Sequence, residues 1–495
     1  MNNSKNLIAK AKKFYLKKSF FEAKTCLLQA LKNPQLNETL KMSLYILVSD
    51  VCYKINEFEN AEKYLLKYIY IDKSNAKVFN LLGNIYLKKR DYINSEKFYL
   101  ESIKIDEINE LALVNLAILY HNLGKQKKAI SFYKKILSIN PKNIGALYNL
   151  ASIDQSSIDE KKIENLKNLL KEEKLDNFNI ASCYFLLAEY EKKKKNFDQE
   201  VDLLLNANKF SFKNNESINK QSNEYWFNII SNKFNKIEYL QNKKILIENK
   251  EIYPIFIIGL PRCGSTLIES IISSGKVKVE NLGETNLVNW AFLNTNRDIL
   301  RFPNEKKIAI NFDLTAEKLK NSFDNLNVKD KNKKIFFSEK SLENFYYIEL
   351  LLNIYPNAKF INPYRNLIDN TFAIYKQFLS NISWSHSLED ILLYINNYLF
   401  TIDYFKQRYP NKIFSISLEN FTENPKKSAM DIYKFCNLKW DEKCLEFHKR
   451  NDLFTNTASI NQIRTSVQKY DKNKYDPYKK ILNKYLDRFS WLNNS

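Results

Sequence analysis

Residues 259–266 read Gly-Leu-Pro-Arg-Cys-Gly-Ser-Thr, after the apolar run YPIFII and ahead of the helical pattern LIESII. A strand–turn–helix loop of this kind presents successive backbone N–H groups and a helix N-terminus, and both attract anions. The spacing is nearly G-x-x-x-x-G-K-[ST], the loop whose lysine reaches the terminal phosphates of a nucleoside triphosphate. Here Ser265 stands in the lysine's place, and the cation, Arg262, lies inside the loop. No candidate strand ends in an obvious aspartate that would help to hold Mg²⁺. The loop therefore suits an anion on one short chain rather than a metal-bound triphosphate.

The elements that must position this loop are legible around it. Apolar, β-rich runs at 253–259, 334–338, 358–364 and 412–418 alternate with helical patterns at 266–274, 342–354, 367–380 and 389–408. That alternation predicts a three-layer α/β/α domain built on a parallel sheet. Ligands of such sheets bind beyond the carboxyl ends of the strands, and the loop sits at one of those ends.

The segment P-R-C-G-S-T resembles the 5′-phosphosulfate loop of the sulfotransferases, which use 3′-phosphoadenosine 5′-phosphosulfate (PAPS) as donor; that loop usually reads P-R-S-G-T-T. The resemblance continues through NLGETN (281–286), SEKSLENF (338–345), INPYRNLIDNTFAIYKQ (361–377), SLENFTENP (417–425), DEKCLEFH (441–448) and TASINQIR (457–464). It covers essentially all of 252–490 and implies a P-loop-like fold. Residues Arg262, Cys263, Gly264, Ser265 and Thr266 would hold the 5′-phosphosulfate, and Arg365 the 3′-phosphate. Glu284 occupies the position that resembles the base of tyrosyl-protein sulfotransferases. Lys340 would stabilise the bridging oxygen, and Arg262 would assist catalysis as well as binding. Three departures stand beside these matches: Asn366 for the family aspartate, Leu367 for its proline, and Ala373 for a serine that donates a hydroxyl. His386 is a rival base, read as a surface-loop residue. The tail RTSVQKYDKNKY is shorter than the resemblance leads one to expect.

The first half carries a period of 34 residues, with units at 42–75, 76–109 and 110–143. Aligned, they superpose Tyr45, Phe79 and Leu113, then small residues Ser49, Gly83 and Ala117. Further on they superpose Ala61, Ser95 and Ala129, then Leu65, Tyr99 and Tyr133. Large apolar residues at helical spacing build a core, and small ones let two helices approach closely. The period and alternation resemble the tetratricopeptide repeat. Degenerate copies fit 4–37 and a stretch from about 181. The expected organisation is an all-α repeat superhelix over 1–213, a connecting helical segment over 214–251, and the sulfotransferase-like domain over 252–495. Stacked repeats present a concave surface suited to a peptide or protein ligand.

The whole chain of 495 residues is too long for one ordinary core. Its formal charge of +21 comes almost entirely from scattered lysine, which fits solvated helix faces and also an anionic substrate. No basic stripe interleaved with aromatics points to nucleic acid. The six cysteines show no C-x-x-C pair, and the three histidines are widely spaced, so no metal site is expected. No run approaches ~18 apolar residues, and the N-terminus lacks a signal-peptide core, so a cytoplasmic protein without a membrane span is expected. Together these readings give a PAPS-dependent sulfotransferase acting on a hydroxyl of a protein tyrosine, a carbohydrate or a small molecule. The alternative is a repeat-based interaction scaffold whose nucleotide-binding domain no longer catalyses.

Overall fold

Each helix pair of the first half turns through one residue in the left-handed region. Lys18, Asn56, Arg90 and Gly124 have φ of 57°, 62°, 63° and 73°. Each lies two residues before the second helix of its pair, those helices being Phe20–Leu31, Phe58–Ile71, Tyr92–Ile105 and Gln126–Ile139. Three residues into these helices, Ala23, Ala61, Ser95 and Ala129 are fully buried. The small residues do what the pattern implies: a Cβ on Gly83 would lie 2.4 Å from the ring of Tyr99. Ser95 Oγ closes the same contact by donating to the Gly83 carbonyl at 2.9 Å. This region is all-helical, as expected.

The computed structural model describes residues 2–171, 174–240, 252–296, 308–324, 335–450 and 452–494. They pack as two units, Met1–Leu150 and Ala151–Ser495. The helical hairpin Asn177–Lys193 and Phe197–Asn214 has a repeat-like pattern, yet it belongs to the second unit. The packing divide therefore falls some sixty residues ahead of the boundary drawn at 213 from the sequence. Periodicity identifies a hairpin, but only its packing partners decide which unit it joins.

Among the described residues, seven strands lie in the second unit: β1 (Ile237–Leu240), β2 (Ile252–Ile257), β3 (Val279–Asn281), β4 (Ile308–Asn311), β5 (Ile335–Glu339), β6 (Lys359–Tyr364) and β7 (Ile413–Ser417). The main sheet runs β3-β5-β2-β6-β7 with every pair parallel, and β1 with β4 forms a separate parallel pair. The four strands expected from the sequence are present. Those not foreseen, β1, β3 and β4, have only three or four residues, too few to show a period. Successive residues of β2 face opposite layers. Ile255 and Ile257 pack with Ile268, Ile271 and Ile432 from the helices Ser265–Ile272 and Pro425–Phe435. Phe256 stacks on Phe360 of β6, and neighbouring Phe337 of β5 meets Phe323 of the helix Phe312–Asp324. The layering is α/β/α.

The segment expected to connect the halves is helical over 216–236, interrupted by a π-helical turn at Tyr225–Ile229, and it then enters β1. The rest of that segment, 241–251, lies outside the described residues. Tyr225, Ile229, Ile230 and Phe234 are buried, and Phe234 packs on Phe405. The segment is thus core to the second unit rather than a tether. The helix expected at 367–380 stops at Tyr375, and the one at 342–354 begins as a 3₁₀ helix, Leu342–Tyr347.

Candidate active site

Strand β2 is central, with β5 on one side and β6 on the other. The chain leaves β2 for one side of the sheet and later returns to the other, so the loop after β2 sits at the topological switch point. Gly259 and Gly264 have φ of +134° and +93°, and Arg262 adopts +66°. The φ of Gly264 is one that side chains rarely adopt, and a Cβ there would also lie 2.8 Å from Leu418 Cδ1, so the corner favours glycine. Gly264 caps the helix Ser265–Ile272. Two side chains hold the loop by its carbonyls: Asn370 Nδ2 donates to Pro261 O at 2.6 Å, and Arg365 Nη1 to Arg262 O at 3.4 Å. Cys263 is fully buried, and burial pushes its thiol up to about 11, so it packs as a neutral group.

Arg365, one residue past β6, is only 9% exposed. Its guanidinium donates from Nε and Nη2 to Tyr470 Oη at 3.2 and 2.8 Å, and Nη2 lies 3.7 Å from Asp369 Oδ2. It also faces the rings of Tyr470 and Tyr475 at 4.9 and 5.5 Å. Tyr470 Oη in turn donates to Asp369. Partial desolvation, and then the neighbouring cations Lys192, Arg262 and Arg365, hold Lys474 below the ordinary lysine value. Earlier in the C-terminal segment, Arg262 Nη1 donates to Ser459 Oγ at 2.5 Å, and Thr266 Oγ1 meets Thr457 Oγ1 at 3.2 Å.

On the other side of the loop, Lys340 follows β5 directly and is fully buried. Its Nζ donates to Glu284 Oε1 at 2.5 Å, while the Glu284 side chain remains 43% exposed. Burial opposes the lysine's charge, but Glu284 and Glu269 outweigh it and hold the ammonium above its ordinary value. The two strand ends are locked together: Lys340 N donates to Gly283 O at 2.9 Å, and Asn286 N to Ser341 Oγ at 2.8 Å. Buried Glu339 accepts from Thr285 Oγ1 at 2.8 Å and from Asn344 Nδ2 at 2.6 Å. Half-buried Glu343 is pushed up to about 7 by burial and then by Glu339 and Glu284, which places a titrating carboxyl near neutrality beside the pair.

The structure thus gathers Arg262, Lys340 and Arg365 from three adjacent strand ends, with both Lys340 and Arg365 acting electrostatically on Cys263 between them. His386 is not a surface residue as expected: it is 7% exposed, edge-on to Phe212 at 6.0 Å. Burial pushes its imidazole down to about 4. Sequence reasoning missed Asn370, Tyr470 and Lys474. Of these, only the close spacing of tyrosine and lysine in KYDKNKYDPY left a signal. Ala373 is buried in the helix Leu367–Tyr375 that follows Arg365.

A glycine-cornered loop at the switch point of a parallel sheet, ringed by three cations, defines a P-loop-like α/β domain. Residues 254–442 match the model of the sulfotransferase family, and residues 43–75, 76–109 and 111–143 match tetratricopeptide repeat models. The chain carries a sulfotransferase-family domain behind an all-helical tetratricopeptide-repeat region. An uncharacterized protein of Aquifex aeolicus is 25% identical over 359 residues, covering 68% of this chain and 44% of its own length. The chain thus spans less than half the length of that relative. Among solved structures, the sulfotransferase STF9 from Mycobacterium avium is 14% identical, with 49% of this chain and 78% of that one covered at a TM-score of 0.30. The sulfotransferase domain of the Synechococcus olefin synthase is also 14% identical, covering 48% and 91% at 0.32.

Proposed function

We propose that this protein transfers a sulfuryl group from PAPS to an acceptor hydroxyl on a protein tyrosine, a carbohydrate or a small molecule. The observation that carries the reading is the cation arrangement: no lysine in the triphosphate position, but Arg262 inside the loop, Lys340 buried at one flank and Arg365 at the other. The residues fit the donor. Gly264 leaves the loop corner free of a side chain, and the buried arginine offers a planar fork that matches phosphate. PAPS, when bound, supplies the activated sulfuryl group. Loop residues 262–266 hold its 5′ end through backbone N–H groups, with Arg262 and Thr266 adding side-chain donors, and Arg365 grips the 3′-phosphate. Glu284 is exposed enough to meet an acceptor, stays within reach of Lys340 Nζ, and takes the hydroxyl proton. Lys340 then offsets charge that develops on the bridging oxygen. The repeats take a peptide or protein ligand. The protein works in the cytoplasm, in keeping with six free, buried cysteines; among the described residues no helix is long and apolar enough to cross a membrane.

One observation favours the second reading, a scaffold that binds nucleotide without turnover: Ala373 offers no hydroxyl where the family has serine. Two measurements separate the readings. Adenosine 3′,5′-bisphosphate should raise the melting temperature, with 5′-AMP and ATP–Mg²⁺ much weaker. Arg365→Ala should remove that preference, lowering bisphosphate affinity ~10- to 100-fold, the scale of hydrogen bonds to a charged group worth ~1.5–3 kcal/mol. Equal stabilisation by AMP would overturn the 3′-phosphate assignment. Sulfate transfer to a hydroxyl panel by the wild type marks the enzyme, and binding without any transfer marks the scaffold.

A further inference from the structure

The hairpin Asn177–Asn214 keeps the repeat pattern but breaks it at one position. Its turn residue Lys195 has φ of 60°, like the repeat turns of the first unit, and its second helix starts two residues later at Phe197. Three residues into the second helix, the four pairs of the first unit bury Ala23, Ala61, Ser95 and Ala129, and here the residue is Glu200. It is 1% exposed. A buried carboxylate, where the other pairs bury a small side chain, is costly unless it is fully paired. Its partners come from neither helix of the hairpin.

Glu200 Oε1 pairs with Lys376 Nζ at 2.7 Å, and Oε2 accepts from Tyr478 Oη at 2.6 Å. Lys376 Nζ also donates to Tyr478 Oη and lies 3.6 Å from that ring's centroid, closing a triad. Lys376 directly follows the helix that Arg365 leads into, and Tyr478 belongs to the C-terminal segment that supplies Tyr470 and Tyr475 to Arg365. Phe372 bridges the two places, with ring centroids 5.5 Å from Tyr478 and 6.4 Å from Tyr475. The hairpin grips the same elements elsewhere: Asn208 Nδ2 donates to Tyr375 O at 3.0 Å, and Phe197 meets Tyr478 edge-on at 5.6 Å. Packing of the hairpin alone would be served by alanine at 200, as in three of the other four pairs. The carboxylate instead serves the C-terminal segment.

We infer that Glu200 is a positioning residue for the anion site: through Lys376 and Tyr478 it clamps the C-terminal segment 470–485 so that Tyr470 and Tyr475 orient the Arg365 guanidinium. The inference rests on the proposed donor site for its consequence, while the clamp itself can be read without any ligand. This makes the last repeat-like hairpin a working wall of the sulfotransferase-family domain. It also gives a reason for the early start of the second unit.

The test uses the full chain with Glu200→Gln, Tyr478→Phe, the double variant, and Asp198→Asn as control, since Asp198 pairs with Lys480 at the surface at 2.9 Å. Hydrogen exchange is followed across residues 151–494 without ligand, and bisphosphate affinity is measured separately. We expect both single variants to speed exchange at 470–485 at least tenfold while β2, β5 and β6 stay protected. Bisphosphate binding should weaken about tenfold, and the double variant should be no worse than either single one, because all break one clamp. The donor KM should rise with little change in kcat, and Asp198→Asn should match the wild type. Unchanged exchange at 470–485 would overturn the inference. So would acceleration spread evenly over the sheet, which marks general loosening, or additive losses in the double variant. If the wild type binds no bisphosphate yet the tail loosens locally, the proposed function falls while the clamp stands. If the wild type binds bisphosphate and the variants bind it equally well, the clamp does not orient Arg365, and the proposed function stands.

Discussion

Among the described residues, the buried polar side chains of Met1–Leu150 are serines, asparagines and one histidine, whereas those of Ala151–Ser495 include Glu200, Glu269, Glu339, Lys340, Arg365 and Asp369. The first unit keeps its charges at the rim, and even its polar bonds follow the repeat. Tyr86 donates to Glu62 and, 34 residues on, Tyr120 to Glu96, at 2.5 and 2.8 Å. Partly exposed pairs of this kind contribute little each. The second unit takes charged groups out of water, which costs several kcal/mol per ion before pairing offsets it. Stability alone does not ask for such groups, since apolar residues of similar volume often serve as well. The contrast concentrates buried charge in the second unit and leaves the first to apolar and neutral polar packing.

The contrast breaks most visibly at the Lys340–Glu284 pair. Glu284→Gln should lower kcat for sulfate transfer by about 10²–10⁴-fold, the share of a general base, while bisphosphate affinity holds. Lys340→Met should lower kcat by about 10²–10³-fold, the scale of lost charge stabilisation. A folded Lys340→Met protein with full activity would show the buried charge to be structural. His386→Ala should leave turnover nearly unchanged, because an imidazole titrating at about 4 and edge-on to Phe212 is not offered to an acceptor.

His386 also yields the next largest effect, on stability. Its native value of about 4 lies below the unfolded value of 6.5, so the native state favours the neutral ring. The stability it supports is complete above pH 6.5 and is lost as pH falls from there toward 4, by an amount on the order of 3 kcal/mol. His386→Leu should flatten that part of the pH–stability curve in urea melts. A slope unchanged by the substitution would place the acid sensitivity elsewhere.

The smallest expected effect tests the first unit. A Cβ at Gly83 meets the Tyr99 ring, so Gly83→Ala should destabilise the repeats by about 1–3 kcal/mol, the range for overpacking. Circular dichroism of thermal unfolding would read it. A neutral result would mean that the helix pair yields, and that the close approach is not what the small residue secures.

The repeats were legible because they rest on a rule the chain states three times over: small and large residues recur at 34 residues, and each unit packs only against its neighbours. The sheet was legible where strands run five or six residues, and invisible where β1, β3 and β4 run three or four. At the candidate site, the residues beside the strand ends could be named from motifs, because each motif is contiguous. Asn370, Tyr470 and Lys474 could not. They act through partners a hundred or more residues away, and no local pattern marks an asparagine that holds a loop carbonyl.

The sequence by itself determined the helix pairs, the main parallel strands, the glycine corners at 259 and 264 and the chemistry available at the strand ends, since these depend on local periodicity and backbone freedom. Only the tertiary structure decided which long-range pairs share a space. It buried Lys340 against Glu284, faced Arg365 with Tyr470 and Tyr475, hid His386 and assigned the hairpin at 177–214 to the second unit. The physical reason is the cost of burying charge. A carboxylate such as Glu200 looks like any helical surface residue until the fold brings Lys376 and Tyr478 to it, and without them it could not stay buried.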